Sequence, residues 1–128
     1  HNVDTIPRLY GAVRPMARFN RSLDVLKTAK NSNDSILTKS GLMVGLGETK
    51  IEVLELLKRL REVNVDIVTI GQYMAPSKGH YPVKEYINPD TFAYYKDEGL
   101  KMGFKLVESA PLVRSSYHAE EAKNFFKT

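Results

Sequence analysis

The sequence predicts an α/β fold in which a parallel sheet alternates with helices along the chain. Three observations lead there. Segments with apolar residues at helical spacing are separated by short, nearly continuous apolar runs. Such runs suit strands of a sheet covered by helices. Their order (strand, helix, strand, helix, strand, helix, strand) favours right-handed parallel crossovers. That order fits one end of a barrel or a small open layer. A closed barrel needs more strands than 128 residues supply, so a barrel implies further sequence.

The elements follow in order. Residues 1–5 read as the tail of a strand. Residues 6–19 are irregular, punctuated by Pro7, Gly11 and Pro15. Leu23, Leu26 and Ala29 share one helical face, which predicts a helix over about 21–30. Asn31-Ser32-Asn33-Asp34-Ser35 is a polar turn. A strand is predicted over 36–44, with a tight exit at Gly45 and Gly47. Thr49 and Glu52 have capping-box spacing. Val53, Leu56, Leu57 and Leu60, extended by Leu54 and Val63, form the buried stripe of the next helix. Glu55 and Arg59 are spaced to pair on its exposed side. Residues 65–70 read as a buried strand and 71–83 as a long Gly- and Pro-containing excursion. Asn88-Pro89 starts a helix that buries Phe92, Tyr95 and Met102 and stops at Gly103. A last strand is expected over 104–108 and a short helix over 119–127.

Composition narrows the chemistry. The formal charge is +4, and the 19 basic residues are spread along the chain rather than gathered into a stripe. No nucleic-acid surface is expected from that distribution. No apolar stretch approaches a membrane span, and no targeting segment is visible. The chain has no cysteine, which excludes a disulfide framework and a thiol nucleophile. Thiolates normally hold iron–sulfur clusters, so any cluster here would take most ligands from another segment or subunit. The chain opens on His1-Asn2-Val3 without an initiator Met, which fits a fragment, a processed product or a partial chain.

In parallel α/β architecture, sites form beyond the C-terminal ends of strands. Four clusters fall there. They are His1, Asn2 and Thr5; Gly45, Gly47 and Glu48; Gln72, Tyr73, Ser77, Lys78 and His80; and the closing Arg114-Ser115-Ser116-Tyr117-His118 run. The 45–48 turn has two readings. In one, the glycines only make a tight connection and Glu48 sits near a positive helix end. In the other, the turn is a backbone cradle for a cofactor, with Glu48 accepting its hydrogen bonds. The spacing is neither a Walker loop nor a dinucleotide fingerprint. Arg8 and Arg14 are either surface charges or fork-like anion binders. His1, His80 and His118 lack zinc-site spacing. Ser115 and Ser116 lie near His118 but lack a nucleophile elbow.

Together these motifs are recognisable. The runs are His1-Asn2-Val3-Asp4-Thr5, Tyr10 through Arg14-Pro15, Leu37-Thr38-Lys39-Ser40-Gly41-Leu42-Met43-Val44-Gly45-Leu46-Gly47-Glu48, Ile70-Gly71-Gln72-Tyr73, and Pro111 through Ala119. Their order and spacing resemble the C-terminal half of lipoyl synthase, within the radical SAM enzymes. The resemblance covers almost the whole chain. It implies the C-terminal portion of a partial (β/α)6 TIM-like barrel over 1–109, and a C-terminal extension over 110–128 that contributes to an auxiliary-cluster site.

The reaction implied is insertion of two sulfur atoms at C6 and C8 of a protein-bound octanoyl group. S-adenosylmethionine (SAM) yields the hydrogen-abstracting radical, and an auxiliary iron–sulfur cluster donates the sulfur. The complete enzyme would hold two 4Fe-4S clusters, and none is expected to assemble stably on this chain alone. Its cysteines would lie in a preceding segment missing here. Its substrate would be an octanoylated lipoyl carrier domain or a glycine-cleavage carrier protein. The compartment would be cytoplasmic, or a mitochondrial or plastid matrix. By resemblance, Asn2, Lys39, Ser40, Gly45, Gly47, Glu48 and Gln72 bind SAM. Ser115 or Ser116 ligates the auxiliary cluster beside Arg114, and these three form the catalytic set. Tyr117 and His118 are positioning groups. Asp4 stands where the family more often has Glu, which puts a direct contact there in doubt. Ala17, Arg18 and Phe19 depart from the family's commoner Gly-rich form and fit a variable loop. The alternative is a non-catalytic structural or binding half that requires a cysteine-containing partner.

Overall fold

A computed structural model of the chain describes residues 2–9 and 19–113. The closing Arg114-Ser115-Ser116-Tyr117-His118 run, Arg14 and the helix expected over 119–127 lie outside the described residues. Three helices, α1 (Phe19–Ser32), α2 (Lys50–Glu62) and α3 (Pro89–Met102), alternate with three strands, β1 (Lys39–Val44), β2 (Ile67–Gln72) and β3 (Leu106–Ser109). The sheet order is β1-β2-β3, and both pairings are parallel. Lys39 lies opposite Ile67 and Val44 opposite Gln72; Ile67 in turn lies opposite Leu106. The α/β class with parallel crossovers is thus present.

The segment expected as a first strand is reduced to one parallel bridge, Asp4 to Leu42. Asp4 N–H donates to the Gly41 carbonyl at 3.0 Å, and Met43 N–H donates to the Asp4 carbonyl at 2.8 Å. A longer strand is prevented because Asp4 has φ 70°, and Thr5 N–H turns back to the Val3 carbonyl at 2.9 Å. That three-residue turn leaves extended geometry at once. A 3-10 turn, Pro7–Leu9, follows.

Local chemistry sets the boundaries. Thr49 and Glu52 form the expected capping box at the start of α2. Asn88 caps α3 ahead of Pro89, and Gly103 ends it with φ 104°. Strand β1 starts later than its apolar run, because Asp66 and Ile67 N–H both donate to the Thr38 carbonyl and fix the ladder there. Ile36 and Leu37 stay exposed outside it. Strand β2 starts at Ile67 rather than Val65, since Val65 N–H still closes α2 on the Leu60 carbonyl at 3.0 Å. Arg59 stacks over Phe19 and reaches Asn20 Oδ1 at 3.3 Å, tying α2 to α1.

All three helices pack on one face of the sheet. Leu23 and Leu26 of α1, Val53, Leu56, Leu57 and Leu60 of α2, and Phe92 and Tyr95 of α3 share one core with Leu42, Val44, Val68, Ile70 and Val107. Strand alternation sends Lys39, Gly41 and Met43, Ile67, Thr69 and Gly71, and Leu106 and Glu108 to the opposite face.

The end of the sheet where the strands begin is closed by Asp66. Its carboxylate accepts Lys30 Nζ at 2.6 Å and Thr38 N–H at 2.9 Å, with Lys105 Nζ at 3.7 Å. Both partners of the Lys30–Asp66 pair are largely buried, at 13% and 6% side-chain exposure. Burial pushes the Asp66 carboxyl up, but the Lys30 and Thr38 bonds and the Lys30 and Lys105 charges outweigh it and leave it below its ordinary value. A lowered carboxyl stabilises the fold above its unfolded pKa and loses that contribution as pH falls toward the folded one. Asp66→Ala is therefore expected to cost about 3 kcal/mol at pH 7 by leaving Lys30 buried and unpaired. In urea unfolding the difference from wild type should shrink below pH about 4; a constant difference down to pH 2 would contradict the ion-pair account.

Candidate cofactor site

The candidate site lies where β1 and β2 end. Gly45, Leu46, Gly47 and Glu48 carry the chain from β1 into α2. Gly45 and Gly47 have φ 96° and 109°, a left-handed backbone that favours glycine. Glu48 folds back over its own turn: Oε1 accepts Gly45 N–H at 3.1 Å and Leu46 N–H at 3.0 Å. Glu48 thus occupies the Gly45 and Leu46 amides of its own turn.

Two further anchors grip the turn from opposite sides. Arg8, on the 3-10 turn, makes a fork with Glu52, Nε to Oε2 at 2.8 Å and Nη2 to Oε1 at 2.9 Å. The same Nη2 donates to the Gly47 carbonyl at 3.0 Å. Arg8 is therefore a surface charge committed to a clamp within the chain. Its hydrogen bond, with Thr49 N–H adding, holds the Glu52 carboxyl down at about 2, while Arg8 itself is raised. On the other side, Lys84 and Glu85 N–H both donate to the Gly45 carbonyl, at 2.8 and 3.2 Å. Tyr81 Oη reaches the Leu46 carbonyl at 3.4 Å.

The residues expected to bind SAM divide into three groups. Lys39 lies on the sheet face opposite the helices, and Asn2 is exposed just ahead of the Asp4 bridge to β1. Partial burial lowers the Lys39 ammonium, and the charge of Glu108 works against that shift. Ser40 and Gln72 are turned elsewhere, and both bond backbone. Ser40 Oγ accepts Val3 N–H at 3.1 Å, which holds the N-terminal segment on β1. Gln72 Nε2 donates to the Tyr73 and Glu85 carbonyls at 3.0 and 2.9 Å, and its Oε1 accepts Ile87 N–H at 2.8 Å. Gly45, Gly47 and Glu48 form the third group, at the strand end. Ser77 and His80 meet in an exposed local turn, Oγ to Nδ1 at 2.7 Å.

One participant is not evident from sequence: Glu85, which contributes only its main chain. Thr5, expected in the first cluster, has the one buried side-chain polar atom lacking a hydrogen-bond partner among the described residues. Arg8-x-x spacing to a glutamate 44 residues on carries no local signal. Val113, the residue before Arg114, is placed by the exit from β3: Ala110 N–H donates to the Ile70 carbonyl and Gln72 N–H to that of Pro111, at 3.1 and 3.2 Å. The chain thus leaves β3 along the C-terminal end of β2.

Two measurements check this geometry. A Cβ at Gly45 would fall 2.5 Å from the Glu85 carbonyl oxygen, whereas at Gly47 the nearest atom is Lys84 Cγ at 3.8 Å. Both alanine variants carry left-handed strain of about 1–3 kcal/mol, so chemical denaturation should show Gly45→Ala as clearly the more destabilised. In a carboxylate NMR titration Glu52 should titrate near pH 2. Its stabilising contribution is complete above its ordinary value of 4.5 and is lost as pH falls from there toward 2. Arg8→Gln should return the Glu52 midpoint toward the ordinary value.

No helix among the described residues is long and apolar enough to cross a membrane, and no group of three or more His, Cys, Asp or Glu there could hold a metal ion. No family model matches the chain. Curated relatives do match. It is 64% identical over 121 residues to the lipoyl synthase of Caldicellulosiruptor saccharolyticus, covering 94% of this chain and 42% of that protein. It is 57% identical to the Rubrobacter xylanophilus lipoyl synthase, covering 94% and 38% respectively. It is 54% identical to that of Pseudomonas fluorescens (strain Pf0-1), covering 99% and 37%. The chain thus spans about two fifths of the length of the relatives it matches. With nearly every residue of the chain inside these matches, it belongs to the lipoyl synthase family and corresponds to a portion of such an enzyme.

Proposed function

We propose that this chain supplies part of the SAM-facing wall and the auxiliary-cluster side of a lipoyl synthase active site. The complete enzyme would insert sulfur at C6 and C8 of an octanoyl group on a lipoyl carrier domain or a glycine-cleavage carrier protein. The observation that carries the reading is the 64% identity to a lipoyl synthase across 94% of the chain. SAM and the two 4Fe-4S clusters would supply the hydrogen-abstracting radical and the sulfur; the protein's part is to bind, orient and exclude water.

The described residues fit a SAM wall in part. The three described helices lie on one side of the sheet, as in a barrel wall, and the opposite face carries Lys39, Thr69 and Glu108. Asn2 and Lys39 are the side chains best placed to meet the ligand's polar groups. Gly45, Gly47 and Glu48 would shape the rim, and Ser40 would hold the Asn2 segment in place. The orphaned Thr5 hydroxyl beside the Asp4 turn marks a buried polar demand close to that wall.

The residues do not fit a whole cluster, since the chain has no cysteine. Cysteine triads from a preceding segment would hold the SAM-binding cluster and most of the auxiliary one. Ser115 or Ser116 would add a hard oxygen ligand to the latter, with Arg114 balancing its negative charge. On this reading 1–109 is the partial barrel and 110–128 the extension that reaches the cluster, and the isolated chain is inactive. The Cys-free composition also favours a second reading, a non-catalytic half that works with a cysteine-containing partner. Iron and sulfide analysis with and without candidate partners separates the two.

The direct test uses the full-length enzyme carrying this segment. Replacing both serines, Ser115→Ala and Ser116→Ala, should abolish lipoyl formation while 5′-deoxyadenosine is still produced from SAM. Unchanged lipoyl formation overturns the ligand assignment.

A further inference from the structure

Gln72 is 5% exposed, yet its side-chain amide is saturated by main chain. Both donors and the acceptor are engaged by Tyr73, Glu85 and Ile87 within 3.0 Å. Two of those partners lie 13 and 15 residues away, at the far end of the long 73–88 loop. The amide therefore staples the return of that loop to the strand from which it departs. A buried amide with every group paired is rigid, and removing one group leaves its partners buried and unpaired.

The same loop end is bonded to the 45–48 turn. Lys84 and Glu85 N–H converge on the Gly45 carbonyl, and Gly45 is the residue whose absent Cβ lets the Gln72 amide and the Glu85 carbonyl approach. Tyr73 Oη adds a 2.6 Å bond to the Tyr81 carbonyl, and Tyr81 Oη faces the Leu46 carbonyl. The loop and the turn form one joint with Gln72 at its centre.

We infer that Gln72 is a positioning residue for SAM: it acts by locking the 73–88 loop onto the 45–48 turn, rather than through a contact with the ligand. The inference rests on the SAM-wall reading above and changes the role of Gln72 within it. Its side chain has no donor left for a ligand, while the turn it fixes lies at the end of β1. Loss of the staple frees the loop end and lets the turn shift, and small displacements of a binding wall have large effects on a ligand that must be held in reacting geometry.

The test uses full-length lipoyl synthase with this segment and the variant Gln72→Glu. A carboxylate at that position sets one oxygen, in the place of Nε2, against the Tyr73 and Glu85 carbonyls, while it keeps the acceptor for Ile87 N–H and the side-chain size. Amide hydrogen exchange should show lost protection at Lys84 and Glu85, whose N–H groups bond the Gly45 carbonyl, with α2 amides unchanged. The dissociation constant for SAM, from equilibrium binding, should rise on the order of tenfold or more. The rate of 5′-deoxyadenosine formation at saturating SAM should fall far less. Lowering the pH should recover affinity, because a protonated Glu regains one donor. Tyr73→Phe removes only the Tyr81 bond and serves if Gln72→Glu does not fold; it should give the same pattern more weakly. Retained protection at Lys84 and Glu85, or lost protection with unchanged SAM affinity, overturns the inference. A wild-type enzyme that binds no SAM overturns instead the reading on which it rests.

Discussion

Strand β2 holds the rest of the molecule in place. It is the central strand of the three, and all six of its residues are buried. Each side of its backbone is committed to a parallel neighbour, so its register fixes those of β1 and β3 together. Parallel neighbours need long crossovers, which here are the helices. Those crossovers must leave from one end of the sheet and return at the other. The glycine turn, the 73–88 loop and the exit toward Arg114 consequently converge at one end, and the Asp66 network stands at the opposite one.

The two ends solve different electrostatic problems. Around Asp66, a buried carboxylate meets an ammonium from α1, a main-chain N–H at the start of β1 and a second ammonium from the lead-in to β3. Charges there join elements distant in sequence. At the other end the carboxylates of Glu48 and Glu52 satisfy turn and helix N-terminal amides, where the helix end favours negative charge. Their function is to hold main chain in an uncommon shape. The polar side chains of the third region, the helix-free sheet face, sit between these ends.

Much of the fold was legible because its signals are local. The capping box of Thr49 and Glu52, the Asn88-Pro89 start and the Gly103 stop each need only a few residues. The buried stripes of α2 and α3 are likewise periodic in sequence. Strand starts were misjudged where a distant group decides them. Thr38 and Asp66 bond each other across the sheet, and no pattern in either segment announces it. The tail at 1–5 looked like a strand because its residues suit one; the reversed φ at Asp4 is set by tertiary context. In the site, motif resemblance singles out Ser40 and Gln72, and both bond main chain. It could not tell a ligand contact from a main-chain bond, since both call for the same polar side chain. Arg8 and Glu52 were noticed separately, and only the fold reveals them as one unit.

The sheet order follows the chain order, from the Asp4 bridge through β1 and β2 to β3. No strand has to be threaded between two that are already joined. As the chain emerges from a ribosome, each strand can dock on the edge its predecessor offers, and the growing sheet is never reopened. Until the next strand arrives, every stage exposes one ready edge, so the order of synthesis is also the order in which edges are covered.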